Sequence, residues 1–271
     1  MVSGPVEQVA PPNSVVCGPE VLLWQYARVP ESASSESAHP VIPVADDNPT
    51  RIFPMVTWAL LAGCIAVFVW QIGLDQRAHA AVIHGLGFIP AVFFGEARLH
   101  PDMAMVPAWA TLFTSMFLHG GWMHLISNML YLWVFANNVE DAMGHMRFVV
   151  FYLLCGVVAA LVHGAPAPGS EIPMIGASGA ISGVLGAYLI LHPFSRITVV
   201  IPLGFILYPA RLPAGLVLVV WFGLQLISSA GVDPDEPGVA FLAHIGGFVA
   251  GALLIPLFKY RRVRLFQGRT R

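Results

Sequence analysis

Six apolar runs, at about residues 53–73, 122–139, 148–162, 178–191, 212–229 and 239–258, constrain this chain more than any other feature. A helix needs roughly 20 mostly apolar residues to cross the hydrocarbon core of a bilayer. Lipid offers no partner to backbone N–H and C=O groups, so only helices or closed barrels cross it. The third and fourth runs are short by this measure and are expected to extend into their flanks. Only 10% of the residues are charged and 57% are hydrophobic, whereas a soluble domain carries roughly 25% charged residues. So few charges cannot cover a water-facing surface. The expected fold is an all-α polytopic membrane protein, a six-transmembrane-helix bundle.

The remaining segments divide the chain around that bundle. Residues 1–50 are rich in Pro, Ser and acidic side chains, and read as a flexible cytoplasmic arm. Residues 51–258 form the membrane domain, and 259–271 a basic cytoplasmic tail. The start shows no basic end followed by an apolar core, so no cleavable signal peptide is expected. Between the first two runs, residues 74–108 alternate apolar patches with polar ones. That connection is too broken to span and too apolar for a solvated loop, which predicts a partly membrane-embedded loop.

Charge sets the orientation. With six spans both termini share a side, and the positive-inside bias puts them in the cytoplasm. Arg28, Arg51, Lys259, Arg261, Arg262, Arg264, Arg269 and Arg271 then join Arg147, Arg196 and Arg211 on that side. Only Arg77 and Arg98 fall outside, where Glu171, Asp233, Asp235 and Glu236 also lie. The net charge of −2 includes no basic field, so nucleic acid is not an expected partner. Cys17, Cys64 and Cys155 are far apart in sequence and imply neither a disulfide framework nor a zinc pair.

Polar groups inside a bilayer are costly and point to function. In this orientation the second, fourth and sixth helices all start at the outer leaflet. Those starts carry His119, His124 and Asn128; Ser178; and His244. Ser178 opens a helix after a Pro/Gly loop, where unpaired N–H groups favour developing negative charge. Gly176, Ala177 and Gly179 remove bulk around it, although an N-capping serine has the same local pattern. His244 shares a helix face with Gly247 and Gly251, while Gly179, Gly183 and Gly186 form a matching stripe. Small-residue stripes let helices approach closely, and docking them would bring Ser178 and His244 together.

His124 and Asn128, four residues apart, share another face, and with the Ser178 N–H could form an oxyanion hole. A polar pair that glues two helices is the plainer reading of these two. A zinc site on His119, His124 and His244 is a further alternative, but it leaves Ser178 and Asn128 without a role. His145, His163 and His192 lie at span ends, and His39, His79, His84 and His100 in the arm or loops. Glu140, Gly144 and Arg147 mark the turn between the second and third spans, where a structural hydrogen bond or charge pair is expected.

These residues resemble the rhomboid family of intramembrane serine proteases over about residues 53–258. The motifs are His124-x-x-x-Asn128, Glu140-x-x-x-Gly144, Gly176-x-Ser178-Gly179 and Ala243-His244-x-x-Gly247-x-x-x-Gly251. The resemblance implies a Ser178–His244 dyad with no acidic third member, an oxyanion hole from His124, Asn128 and the Ser178 N–H, and no cofactor or metal. It implies single-span membrane proteins as substrates, cut at a small residue. It also implies a lateral gate on the fifth helix at Trp221 and Phe222, a cap formed by loop 230–238, and a bacterial inner-membrane location. Two positions depart from the family pattern. Trp109-Ala-Thr111 lacks the arginine often found after that tryptophan, and Ser182 stands where some members stack an aromatic ring on the histidine. A catalytically inactive, client-binding relative is the principal rival. A transporter should carry midplane charges or paired broken helices, and a soluble hydrolase should carry a strand before its serine.

Overall fold

The computed structural model describes residues 42–203, 206–230 and 239–267. Helices α1 (Met55–Ile72), α5 (Trp122–Met143), α6 (His145–Gly164), α7 (Ser178–Leu191), α8 (Ala214–Ser229) and α9 (Phe241–Phe258) occupy the six apolar runs. Among the described residues α1, α6 and α9 are long and apolar enough to cross a membrane, and α7 and α8 are shorter apolar helices. The chain is thus a multi-span membrane protein. The outside of the bundle agrees, because Ile227, Leu253 and Leu257 stand 74%, 71% and 78% exposed. Water would penalise such a surface, and acyl chains do not.

α7 is the central helix. Gly179 to Tyr188 and Leu191 are all buried, enclosed by α5, α6 and α9. The reason lies in its sequence: four of its first nine residues are Gly or Ala, and neighbouring backbones close onto them. The helix starts where Gly176 turns with φ +117°, and it ends before Pro193, which disfavours helix in the residue it follows. α7 does not extend into its flanks. α6 does, gaining residues at both ends relative to the apolar run, and α5 continues past residue 139 to Met143.

Helical composition is supplemented by a small antiparallel sheet, order β1-β2-β3, that the hydropathy pattern does not reveal. β1 (Ile42–Asp46) lies within the stretch expected to be a flexible arm. It pairs with β2 (Arg196–Leu203), which pairs in turn with β3 (Ile206–Pro213). Residues 42–46 of that stretch are therefore held in place, by ladder hydrogen bonds and by Asp46. That carboxylate accepts from Tyr188 of α7 at 2.8 Å and from Asn138 of α5 at 2.7 Å. Residues 1–41, loop positions 231–238 and residues 268–271 lie outside the described residues, and with them most of the expected arm and cap.

The α5–α6 turn is closed as expected, and its reach is longer than the local motif suggests. Glu140 is fully buried. It accepts from Val56 N and Thr57 N at 2.9 Å, from Thr57 Oγ1 at 2.7 Å, and bonds His145 Nδ1 at 2.6 Å. One carboxylate thus serves the unpaired first-turn amides of α1 as well as the turn. Arg147 donates to the Phe258 carbonyl at 3.3 Å and stacks over Tyr260, whose ring lies against Gly144.

The long connection after α1 folds into α2 (Gln76–Leu86), α3 (Pro90–Phe94), α4 (Thr111–Thr114) and two short 3-10 turns. Asp75 caps α2 by accepting from Ala78 N at 2.8 Å. Phe88 and Met174 exchange backbone hydrogen bonds of 3.0 and 2.8 Å. That bridge ties the loop to the segment leading into Ser178. Trp109 is 64% exposed.

Candidate active site

The starts of α5, α7 and α9 converge. Contact between α7 and α9 is backbone to backbone, because glycines face each other across it. A Cβ on Gly247 would overlap the Gly179 carbonyl oxygen, and one on Gly251 would overlap the Gly183 carbonyl oxygen. Near the top of the seam, a Cβ on Gly179 would sit 3.8 Å from the Cβ of Ala243. The two predicted stripes do dock. Ser178 stands at the head of one, immediately before Gly179, and His244 at the head of the other, one turn before Gly247.

A cavity of about 20 Å³ lies against Ser178, among Met116, Gly176, Gly179, Ala240 and Ala243. That is room for about one water molecule. Its walls come from α6, α7, α9 and the loop segments before α5 and α7, and most are Gly, Ala or Ser, with Met116, Met174 and Ile175 the larger ones.

His124 and Asn128 flank the other side of the serine loop. A Cβ on Gly176 would lie 2.6 Å from His124 Nε2 and 3.9 Å from Asn128 Nδ2. Only glycine fits there, both for that reason and because φ is +117°. Gly120 N–H donates to His124 Nδ1 at 3.3 Å. A neutral imidazole accepting at Nδ1 carries its proton on Nε2, the nitrogen facing Gly176. Asn128 Nδ2 donates to the His124 carbonyl at 2.8 Å, and the Asn128 side chain is buried.

His119 lies alongside, its ring centroid 5.2 Å from that of His124. Its backbone is held from both sides by Gln71 of α1, which donates to His119 O at 3.3 Å and accepts from His119 N at 3.1 Å. Among the described residues no three His, Cys, Asp or Glu are grouped to hold a metal ion. The zinc alternative on His119, His124 and His244 gains no support.

Two polar residues in this region are not singled out by sequence reasoning. Gln71 is one. Gln225 of α8, 2% exposed, is the other, and its Oε1 lies 2.7 Å from His244 Nδ1. Both are single uncharged amides within apolar runs, and that interruption is the only signal the sequence offers. Trp221 stands with its ring 6.0 Å from that of His244, and Phe222 stacks on Phe248 at 4.5 Å. Ser182 turns its hydroxyl back to the Ser178 carbonyl at 2.7 Å.

A rhomboid-domain family model matches residues 107–261, more than half of the chain. The chain belongs to the rhomboid family. The matched stretch contains the motif residues from His124 to Gly251. Among relatives, RHOMBOID-like protein 5 of Arabidopsis thaliana is 34% identical over 143 residues, covering 53% of this chain and 42% of that protein. The putative rhomboid protease YdcA of Bacillus subtilis is 29% identical over 147 residues, covering 53% and 65%. Rhomboid protease GluP of Bacillus subtilis is 41% identical over 81 residues, covering 30% and 15%. The matches thus span less than two thirds of these relatives' own lengths.

Proposed function

We propose that this rhomboid is an intramembrane serine endopeptidase that cuts single-span membrane proteins in or near their transmembrane segment. Ser178 Oγ attacks the peptide carbonyl, and His244 takes its proton and passes it to the leaving amine. Water then attacks the acyl-enzyme with His244 again as base, releasing the new carboxylate and restoring Ser178. His124, Asn128 and the Ser178 N–H hold the oxyanion during both steps. The glycine seam carries this reading, because Gly247 and Gly251 of α9 lie directly on the backbone of Gly179 and Gly183 and so bring the heads of α7 and α9 together. The His124 and Asn128 donors against Gly176 support the oxyanion assignment.

The small cavity beside Ser178 supports a preference for a small residue at the cut. The weak embedding of α8, in which only Ala214, Leu218 and Gln225 are buried, supports its role as lateral gate. Six spans, cytoplasmic termini and a bacterial inner-membrane location complete the proposal, the orientation resting on the Lys/Arg bias. The second reading is a client-binding rhomboid without proteolytic activity. The departure at Ser182 favours it, and the presence of both Ser178 and His244 argues against it.

A reporter with one transmembrane segment separates the two. Purified wild-type protein should cleave it in detergent or liposomes, and Ser178→Ala and His244→Ala should not, while all three insert equally. A reporter bound but uncut by wild-type protein would establish the client-binding reading instead.

A further inference from the structure

A base on an intramembrane helix must present the correct nitrogen. A neutral imidazole carries one proton, and the nitrogen that holds it cannot accept another. In the proposed dyad, a group bonded to the imidazole has to make that choice.

Gln225 stands where such a group is needed. Its side chain is buried at 2% exposure, and its carbonyl oxygen Oε1 is 2.7 Å from His244 Nδ1. A carbonyl oxygen only accepts, so Nδ1 is the donor and bears the proton. Nε2 then carries the ring's lone pair, as a base for a serine hydroxyl requires. The ring is bracketed as well, with Trp221 at 6.0 Å and 34° and Phe241 at 6.4 Å and 86°. Trp221 and Gln225 are four residues apart and share one face of α8. That face therefore supplies both a flat wall and a hydrogen-bond acceptor. Ser182, four residues after Ser178, spends its hydroxyl on the Ser178 carbonyl.

We infer that Gln225 is a positioning residue that holds His244 as the Nδ1–H tautomer, supplying from α8 the orientation that a third catalytic member supplies elsewhere. The inference deepens the protease reading of Ser178 and His244 and rests on it. Gln225 meets His244 at Nδ1, the nitrogen away from the proton transfer. It acts through the imidazole alone. Orienting partners of this kind fix ring tautomer at metal sites by the same physics.

The test uses the full chain in micelles, with ¹⁵N-labelled histidine at a pH where imidazoles are neutral. His244 is assigned by loss of its signals in His244→Ala. In wild-type protein its Nδ1 should be pyrrole-like and its Nε2 pyridine-like. Gln225→Leu should mix the tautomers and lower kcat by roughly ten-fold, the worth of one neutral hydrogen bond, with KM unchanged. Gln225→Glu restores an acceptor and should return both the nitrogen pattern and most of kcat. Glu keeps the shape of Gln and would satisfy a packing role as well, so the nitrogen shifts decide: a packing role alone would not move them in Gln225→Leu.

A wild-type His244 protonated on Nε2 overturns the inference, and so does a Gln225→Leu protein with unchanged shifts and rate. If Gln225→Leu fails to fold, the wild-type and Gln225→Glu spectra still decide. Absence of turnover in wild-type protein that shows the expected nitrogen pattern would sink the protease reading. It would leave the Gln225–His244 hydrogen bond standing.

Discussion

Replacing Gly247 with alanine probes the seam with a single methyl group. The new Cβ would overlap the Gly179 carbonyl oxygen and lie 3.0 Å from its carbon and 3.4 Å from Gly183 N. All three neighbours are backbone, so no side chain can rotate away. Carbon atoms rest at about 3.5–4.0 Å, so α7 and α9 must part by roughly 1 Å. Overpacking of this kind costs about 1–3 kcal/mol of stability. The larger effect falls on catalysis, because Gly179 follows Ser178 directly and His244 lies one turn from Gly247. A misplacement of about 1 Å between reacting groups costs roughly 100-fold in rate. Purified Gly247→Ala protein should therefore unfold at a lower temperature in micelles and cleave a transmembrane reporter about two orders of magnitude more slowly. Gly223→Ala is the control. Nothing lies within 4 Å of a Cβ there, and alanine is the better helix former. Wild-type melting and turnover in Gly247→Ala would refute the claim that backbone contact aligns the two helices.

Three further outcomes follow from the same geometry. Glu140→Ala should cost about 3–5 kcal/mol in reversible detergent unfolding, because it removes a fully buried carboxylate and leaves the buried Thr57 donors, with the part-buried Val56 and His145, without their acceptor; a cost within the range of a surface change would contradict that bonding. Burial pushes Asp46 up to about 6 from 3.8. The folded state thus binds that proton more tightly than the unfolded chain, and this contribution to stability falls as pH rises from 3.8 to about 6. Asp46→Asn should flatten that slope, and an unchanged slope would remove Asp46 as its source. Asn128→Ala should lower kcat by roughly 100-fold with little change in KM, as expected for a donor used only in the transition state; a rise in KM alone would reassign Asn128 to substrate binding.

What the sequence shows directly is whatever a local period or motif encodes. Each apolar run became a helix because hydropathy over about 20 residues reports burial in lipid. The glycine stripes on α7 and α9 were readable because three- and four-residue spacing defines a helix face, and faces without side chains dock. The sheet was hidden, since β1 and β2 lie about 150 residues apart and prolines interrupt both β1 and the β2–β3 hairpin. Asp46 likewise reads as one acid in a polar arm until Tyr188 and Asn138 are folded against it. Glu140 was visible as a turn residue. Its larger task, holding the first turn of α1, depends on a contact more than 80 residues away. Gln225 carries no charge and sits in no motif, so only the 2.7 Å approach to His244 identifies it.

The central claim is that an imidazole from α9 makes the α7 hydroxyl nucleophilic. The most direct measurement is covalent capture by a fluorophosphonate, with the adduct mapped by mass spectrometry of the purified membrane protein. The expected adduct is on Ser178, absent in Ser178→Ala and lost in His244→Ala despite intact folding. An adduct on another residue, or undiminished capture in His244→Ala, would contradict the account.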